Sequence, residues 1–162
     1  MSFTFHDPGK LIDNELELVL VDQVPARPEA KWVPAYRFSM RLNGSQYEIG
    51  QIDLRIGETQ HLTMYGGHIG YMVKPDYRGH HYAARACKLL YPLARSHGMQ
   101  TLWITCNPDN YASRRTAELA GGQFIEIVDL PDDVDMYHEG DRQKCRYRVD
   151  LRGEINRSSP HS

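Results

Sequence analysis

The sequence predicts an α/β domain of the α+β kind: a mixed, mostly antiparallel sheet with a central parallel strand pair and flanking helices. Three observations carry this. Residues 15–56 alternate apolar and polar side chains in strand-length runs separated by turn residues. His68–Lys74 is a β-branched and aromatic run stopped by Pro75, turned by Asp76-Tyr77-Arg78-Gly79 and followed by Ala83, Ala86, Cys87, Leu90, Leu93 and Ala94 at helical spacing. Thr101–Cys106 (TLWITC) is a second short apolar strand; reached through a helix, it is expected to lie parallel to the first.

In order, residues 1–14 form a polar N-terminal segment without clear pattern, and Asp7-Pro8-Gly9 marks a turn. Glu15–Val24 is the first strand, with Leu16, Leu18 and Leu20 on one face. Pro25, Pro28 and Pro34 leave room for a loop or one short turn. Ala35–Leu42 and Tyr47–Ile56 form a hairpin around Asn43-Gly44, residues that accept positive φ. Ile49 falls out of step with Ile52, Leu54 and Ile56, which places a bulge at Gly50-Gln51. His61–Tyr65 reads as a short strand. The helix from about His80 contains Pro92, so a kink near Lys88–Pro92 or two helical pieces are expected. Gly98 suits its C-terminal cap. Asn107-Pro108-Asp109-Asn110 precedes a helix from Tyr111 to Ala120, closed by Gly121-Gly122. Phe124–Leu130 and Lys144–Leu151 are the last strands. Residues 15–153 thus read as one domain and 154–162 as a disordered tail.

Composition narrows the function. The 162 residues are 41% hydrophobic and 25% charged, with net charge −2, as in an ordinary soluble globular protein. There is no basic stripe to suggest a nucleic-acid partner. No apolar run reaches membrane-spanning length, so no membrane contact and a cytoplasmic location are expected. Cys87, Cys106 and Cys145 lack metal-ligand spacing and fit reduced core thiols. The eight histidines are scattered, and no metal is implied.

The turn before the long helix gathers unpaired N–H groups at the positive end of a helix dipole, which outlines a phosphate site. An ordinary strand–loop–helix join has the same pattern. Arg78-Gly79-His80-His81-Tyr82-Ala83, however, resembles the acyl-CoA signature Q/R-x-x-G-x-G/A of the GNAT N-acetyltransferase superfamily, and Val73–Tyr77 resembles its lead-in. His81 stands where the family has its middle glycine. Asn107–Gly122 is similar to the second signature, with Ser113 placed as in the ribosomal-protein N-terminal acetyltransferase branch.

The resemblance implies a GNAT-like fold lacking its first helical pair, acetyl-CoA as co-substrate, and transfer of acetyl to a primary amine of a small molecule or protein N-terminus. It assigns the pyrophosphate to backbone N–H groups of Arg78, Gly79, His80, His81, Tyr82 and Ala83, and the pantetheine arm to Asn110 and Ser113. The thioester carbonyl falls to a backbone group near Met72 or Val73. Many relatives have a tyrosine acid where this chain has Ala117, which leaves Ser113, Tyr111 or water. His68 occupies the place of the usual glutamate base, and an imidazole can take that proton; Asp53, Glu48 and His61 compete for the role. Tyr71, Tyr65 and Asp53 are candidates to line the acceptor pocket, although both tyrosines equally suit a core. The acidic loop 129–141 reads either as a lid attracting the amine or as a solvated loop. A non-catalytic acyl-CoA-binding module and an interaction protein with a dead pocket remain alternatives, and a homodimer is compatible with the family.

Overall fold

The computed structural model describes residues 3–30 and 32–152. The tail expected at 154–162 lies outside them. Two compact units are formed, one from the residues up to Gly57 together with His68–Met99, the other from Glu58–Gly67 together with the residues from Gln100 onward.

The first unit is a five-stranded antiparallel sheet in the order β1 (Leu11–Asp13), β2 (Leu16–Val24), β3 (Ala35–Leu42), β4 (Glu48–Arg55), β5 (Ile69–Val73). Strand β1 lies in the segment that the sequence leaves unpatterned; three residues are too few for alternation to show. Leu16, Leu18, Tyr36, Phe38, Met40, Ile52, Leu54 and Ile69 are buried in this sheet. The 15-residue helix α1 (Tyr82–Ser96) packs on it and buries Ala86, Cys87, Leu90, Leu93 and Ala94. Burying a side chain such as Leu90 stabilises by about 1.5–3 kcal/mol. The bulge between β3 and β4 falls at Ile49, one residue before the expected place: Met40 faces Gly50 while Arg41 faces Glu48. The extra residue turns Ile49 into the core, where it is 1% exposed. Among its described residues, the connection at Pro25–Pro34 holds one 3-10 turn, Pro28–Ala30.

Helix α1 runs unbroken through Pro92, contrary to the expected kink or split. Pro92 and Lys88, whose carbonyl loses its helical donor, both lie on the exposed side, where water can replace the missing bond. Gly98, at φ +83°, closes the helix end as expected.

The second unit is a three-stranded antiparallel sheet, β6 (Thr101–Cys106), β8 (Gln143–Asp150), β7 (Gln123–Asp129), with β8 central. Helix α2 (Tyr111–Leu119) packs on it, and a short helix α3 (Asp135–His138) interrupts the acidic loop. His61–Tyr65 is not a strand; Leu62–Gly66 forms one turn of π-helix. A second correction concerns the strand pair: β5 and β6 form no parallel ladder, and each is an end strand of its own sheet. The π-turn occupies the flank of β6. Thr105 Oγ1 donates to the Tyr65 carbonyl at 2.7 Å. Buried Arg146 donates to the Thr63 carbonyl through Nη2 at 3.0 Å, while its guanidinium lies over the Trp103 ring and pairs with Glu126. A Cβ on Gly67 would stand a tight 3.2 Å from the Thr105 nitrogen, and the φ of +78° there also favours glycine.

Candidate active site

The end of β5 and the start of α1 hold the residues expected to bind the co-substrate. Pro75–Tyr77 is one 3-10 turn, with Tyr77 N–H donating to the Lys74 carbonyl at 2.9 Å. Arg78 Nε donates to the Val73 carbonyl at 3.0 Å, folding the side chain back over the strand end. Gly79 has φ +96° and His81 has φ +60°. The His81 position therefore needs left-handed backbone, a conformation that favours glycine and costs other residues roughly 1–2 kcal/mol. The first helical bond runs from Arg85 N–H to the His81 carbonyl at 3.0 Å. Among the described residues, the amides of Gly79, His80, His81, Tyr82, Ala83 and Ala84 make no hydrogen bond. They form a run of donors at the positive end of a four-turn helix.

Ladder alternation decides which amide of β5 is available. Arg55 N–H donates to the His68 carbonyl, and Lys74 N–H to the Ile49 carbonyl. Even-numbered residues of β5 therefore bond to β4, and the amides of Ile69, Tyr71 and Val73 point to the outer edge. Between the two candidate donors, the outward N–H is that of Val73; that of Met72 is directed into the sheet, opposite Gln51.

A polar cluster buttresses the turn from β1 and the turn that follows it. Arg85 Nε meets Asp13 Oδ2 at 2.7 Å, Arg85 Nη2 meets Glu15 Oε1 at 3.0 Å, and Tyr82 Oη donates to Glu15 Oε2 at 2.9 Å. Hydrogen bonds from Arg85 foremost, then Glu15's own backbone and Tyr82, lower the Glu15 carboxyl from 4.5 to about 2. A carboxyl held below its unfolded value contributes stability above about pH 4.5, and that contribution fades as pH falls toward 2. Glu15→Gln is therefore expected to flatten the acid limb of the stability profile between those values, as read from denaturant midpoints at successive pH. An unchanged limb would show that the ion pair does not act in solution. Local patterns give no hint of this cluster, whose members are about 70 residues apart in the chain.

In the second unit, Asn110 caps α2, its Oδ1 accepting from Ser113 N–H at 3.1 Å. The Ser113 hydroxyl is hydrogen-bonded to the Cys106 thiol; burial pushes that thiol up, and the Ser113 bond partly offsets it. Just below, Asn107 bridges Lys144 Nζ at 2.7 Å and Asp141 Oδ1 at 2.9 Å, which ties the acidic loop to the end of β6. Ala117 is fully buried, so α2 has no acid at the place where relatives have tyrosine.

The residues expected on the acceptor side lie on different elements. His68 is fully buried and its Nε2 donates to the Gly57 carbonyl at 2.8 Å, which leaves the lone pair on Nδ1. Asp53 lies opposite Gly70 and pairs with Arg37 Nε at 3.4 Å. Tyr71 lies opposite Ile52, hence on the other face of the sheet. Tyr65 belongs to the π-turn of the second unit.

Residues 19–123 match the family model described as acetyltransferase (GNAT) domain. The chain belongs to the GNAT acetyltransferase family. The search of curated proteins finds no significant match. Among solved structures, this GNAT chain resembles a probable acetyltransferase of Chromobacterium violaceum, at 16% identity and TM-score 0.65 over 96% of this chain and 92% of that one. It also resembles RimL, the ribosomal L7/L12 alpha-N-protein acetyltransferase solved with coenzyme A, at 14% identity and TM-score 0.62 over 87% and 97%. A third likeness is to the microcin C7 self-immunity acetyltransferase MccE, solved with acetyl-CoA and AMP, at 16% identity and TM-score 0.56 over 72% of this chain. The chain spans 61% of that structure's length. No helix among the described residues is long and apolar enough to cross a membrane, and none of their His, Cys, Asp and Glu side chains cluster as a metal site.

Proposed function

We propose that the protein transfers the acetyl group of acetyl-CoA to a primary amine, on a small molecule or a protein N-terminus, by direct attack of the amine. The observation that carries this is the run of amides from Gly79 to Ala84, one 3-10 turn beyond the outward N–H of Val73. Pyrophosphate suits the helix end, and the carbonyl oxygen of a thioester suits a donor on the edge of β5. Asn110 and Ser113 are assigned to the pantetheine arm. In the transfer, the amine nitrogen bonds to the carbonyl carbon, the carbon–sulfur bond breaks, and the departing sulfur takes a proton from the Ser113 hydroxyl, which recovers one from water.

His68 is given a positioning role rather than proton transfer. A ring without exposure, committed at Nε2, cannot meet an incoming ammonium, but it does pin Gly57 beside the start of β5. Asp53, half-buried on the polar face of β4, is the carboxylate we assign to attracting the amine, whose proton passes to water.

The test is thiol release: purified protein, acetyl-CoA, and a panel of primary amines and free-amino peptides. Amine-dependent release of thiol supports the reading, and tight acetyl-CoA binding without release for any amine would replace it with that of a binding module. His81 favours that second reading, since it departs from the family glycine. His81→Gly is expected to raise acetyl-CoA affinity several-fold in calorimetry, because glycine fits φ +60° and removes the exposed ring from the turn. A marked loss would instead make the imidazole a phosphate ligand.

A further inference from the structure

The N-terminal segment, unpatterned in sequence, is tied to the far end of α1 from the candidate site. His6 N–H donates to Tyr36 Oη at 2.7 Å, and Tyr36 Oη lies 2.6 Å from His97 Nε2. The Tyr36 hydroxyl has a single hydrogen, and its oxygen is already accepting from His6. The hydroxyl is fully buried and, among the described residues, Nε2 is the one acceptor its hydrogen reaches, so Nε2 presents a lone pair: His97 is neutral in this arrangement. Ser96 Oγ donates to the Leu93 carbonyl at 2.6 Å, so His6 Nδ1, at 2.8 Å, carries the hydrogen it gives to Ser96. The rings close over this chain. His6 stacks on His97 at 3.9 Å between centroids, Phe3 stacks on His97 at 4.9 Å, and Phe5 meets Tyr36 edge-on at 5.1 Å.

We propose that Phe3–His6 is a proton-released strap, latched to the C-terminal end of α1 only while His97 is neutral. A proton on Nε2 would take away the acceptor of the buried Tyr36 hydrogen and place a cation against the His6 ring. The titratable group facing His97 from the N-terminal segment is His6, and from β3 it is Tyr36; on its own helix the neighbouring charge is Arg95. Neither imidazole meets a carboxylate among the described residues. A helix C-terminus ordinarily favours a protonated histidine. Here burial, and then His6, hold His97 below its ordinary value. The strap's contribution is thus complete above about pH 6.5 and is lost as pH falls from there toward the lowered value.

Amide hydrogen exchange in the full chain, corrected for intrinsic rates and followed from pH 8 to 5, tests this. The His6 amide is expected to lose about tenfold or more of its protection with a midpoint below the ordinary imidazole value, as local opening requires. His97→Gln, whose amide oxygen still accepts from Tyr36 but does not titrate, is expected to keep the strap closed at pH 5. Tyr36→Phe is expected to leave it open at every pH. Protection in wild type that stays constant over this range, or that Tyr36→Phe leaves intact, would overturn the proposal, as would equal loss in His97→Gln. No outcome depends on acetyl transfer.

Discussion

Gly50→Ala is expected to destabilise the protein by about 3 kcal/mol, an overpacking cost because the nearest atom to a new side chain is backbone. A Cβ on Gly50 would stand 2.4 Å from the Met72 carbonyl oxygen and 3.1 Å from Val73 Cα. Both are backbone atoms of β5, so relief requires moving the strand rather than turning a side chain. Gly50 also follows the Ile49 bulge directly, where β4 is already bent. The strand that moves carries Val73 and leads into the turn, so acetyl-CoA affinity is expected to fall together with the denaturant midpoint. Gly44→Ala is the control. Its site is open, and only its φ of +80° opposes a side chain, a cost of about 1 kcal/mol. Equal effects from the two substitutions would mean that β4 and β5 separate easily, and that the close approach does not constrain the site.

Ala83→Glu is expected to weaken acetyl-CoA roughly 100-fold, a change of about 3 kcal/mol in binding, while leaving stability unchanged or slightly higher. The two effects have opposite signs because one feature causes both. Ala83 is the second residue of α1, where a carboxylate is favoured by the helix dipole by about 0.3–1 kcal/mol. A phosphate at the same amides would lie within ~5 Å of that carboxylate, and like charges at that range cost about 3 kcal/mol at an effective dielectric of ~20. Thermal unfolding and calorimetry on one sample read both quantities. Undiminished binding in a protein of normal stability would place the pyrophosphate elsewhere, and the functional reading would lose its main support.

How far the sequence was legible follows from the range of each interaction. Alternation in Ala35–Leu42 and the short apolar run Thr101–Cys106 gave strands with those same bounds, because burial leaves its mark on consecutive residues of a strand. The caps at Asn110 and Gly98 were legible because a cap is settled within a few residues. Pro92 misled because propensity counts a missing bond and not which side of the helix loses it. His61–Tyr65 misled because five residues are too few to distinguish strand from helix, and what holds the π-turn is Arg146, more than 80 residues away. His68 matched the position of a base in the resemblance, but burial is not written in a motif.

By itself, the sequence determined the order of the longer strands and helices, the turn with its run of helix-end amides, and the family, since these rest on period, on turn chemistry and on residues adjacent in the chain. Only the tertiary structure decided that Val73 rather than Met72 turns its amide outward, that Arg85, Asp13 and Glu15 support the turn, and that Tyr71 and Asp53 face opposite ways. Each of these depends on which strand lies beside which and in what register, and register is fixed by packing of the whole sheet, not by any stretch of it.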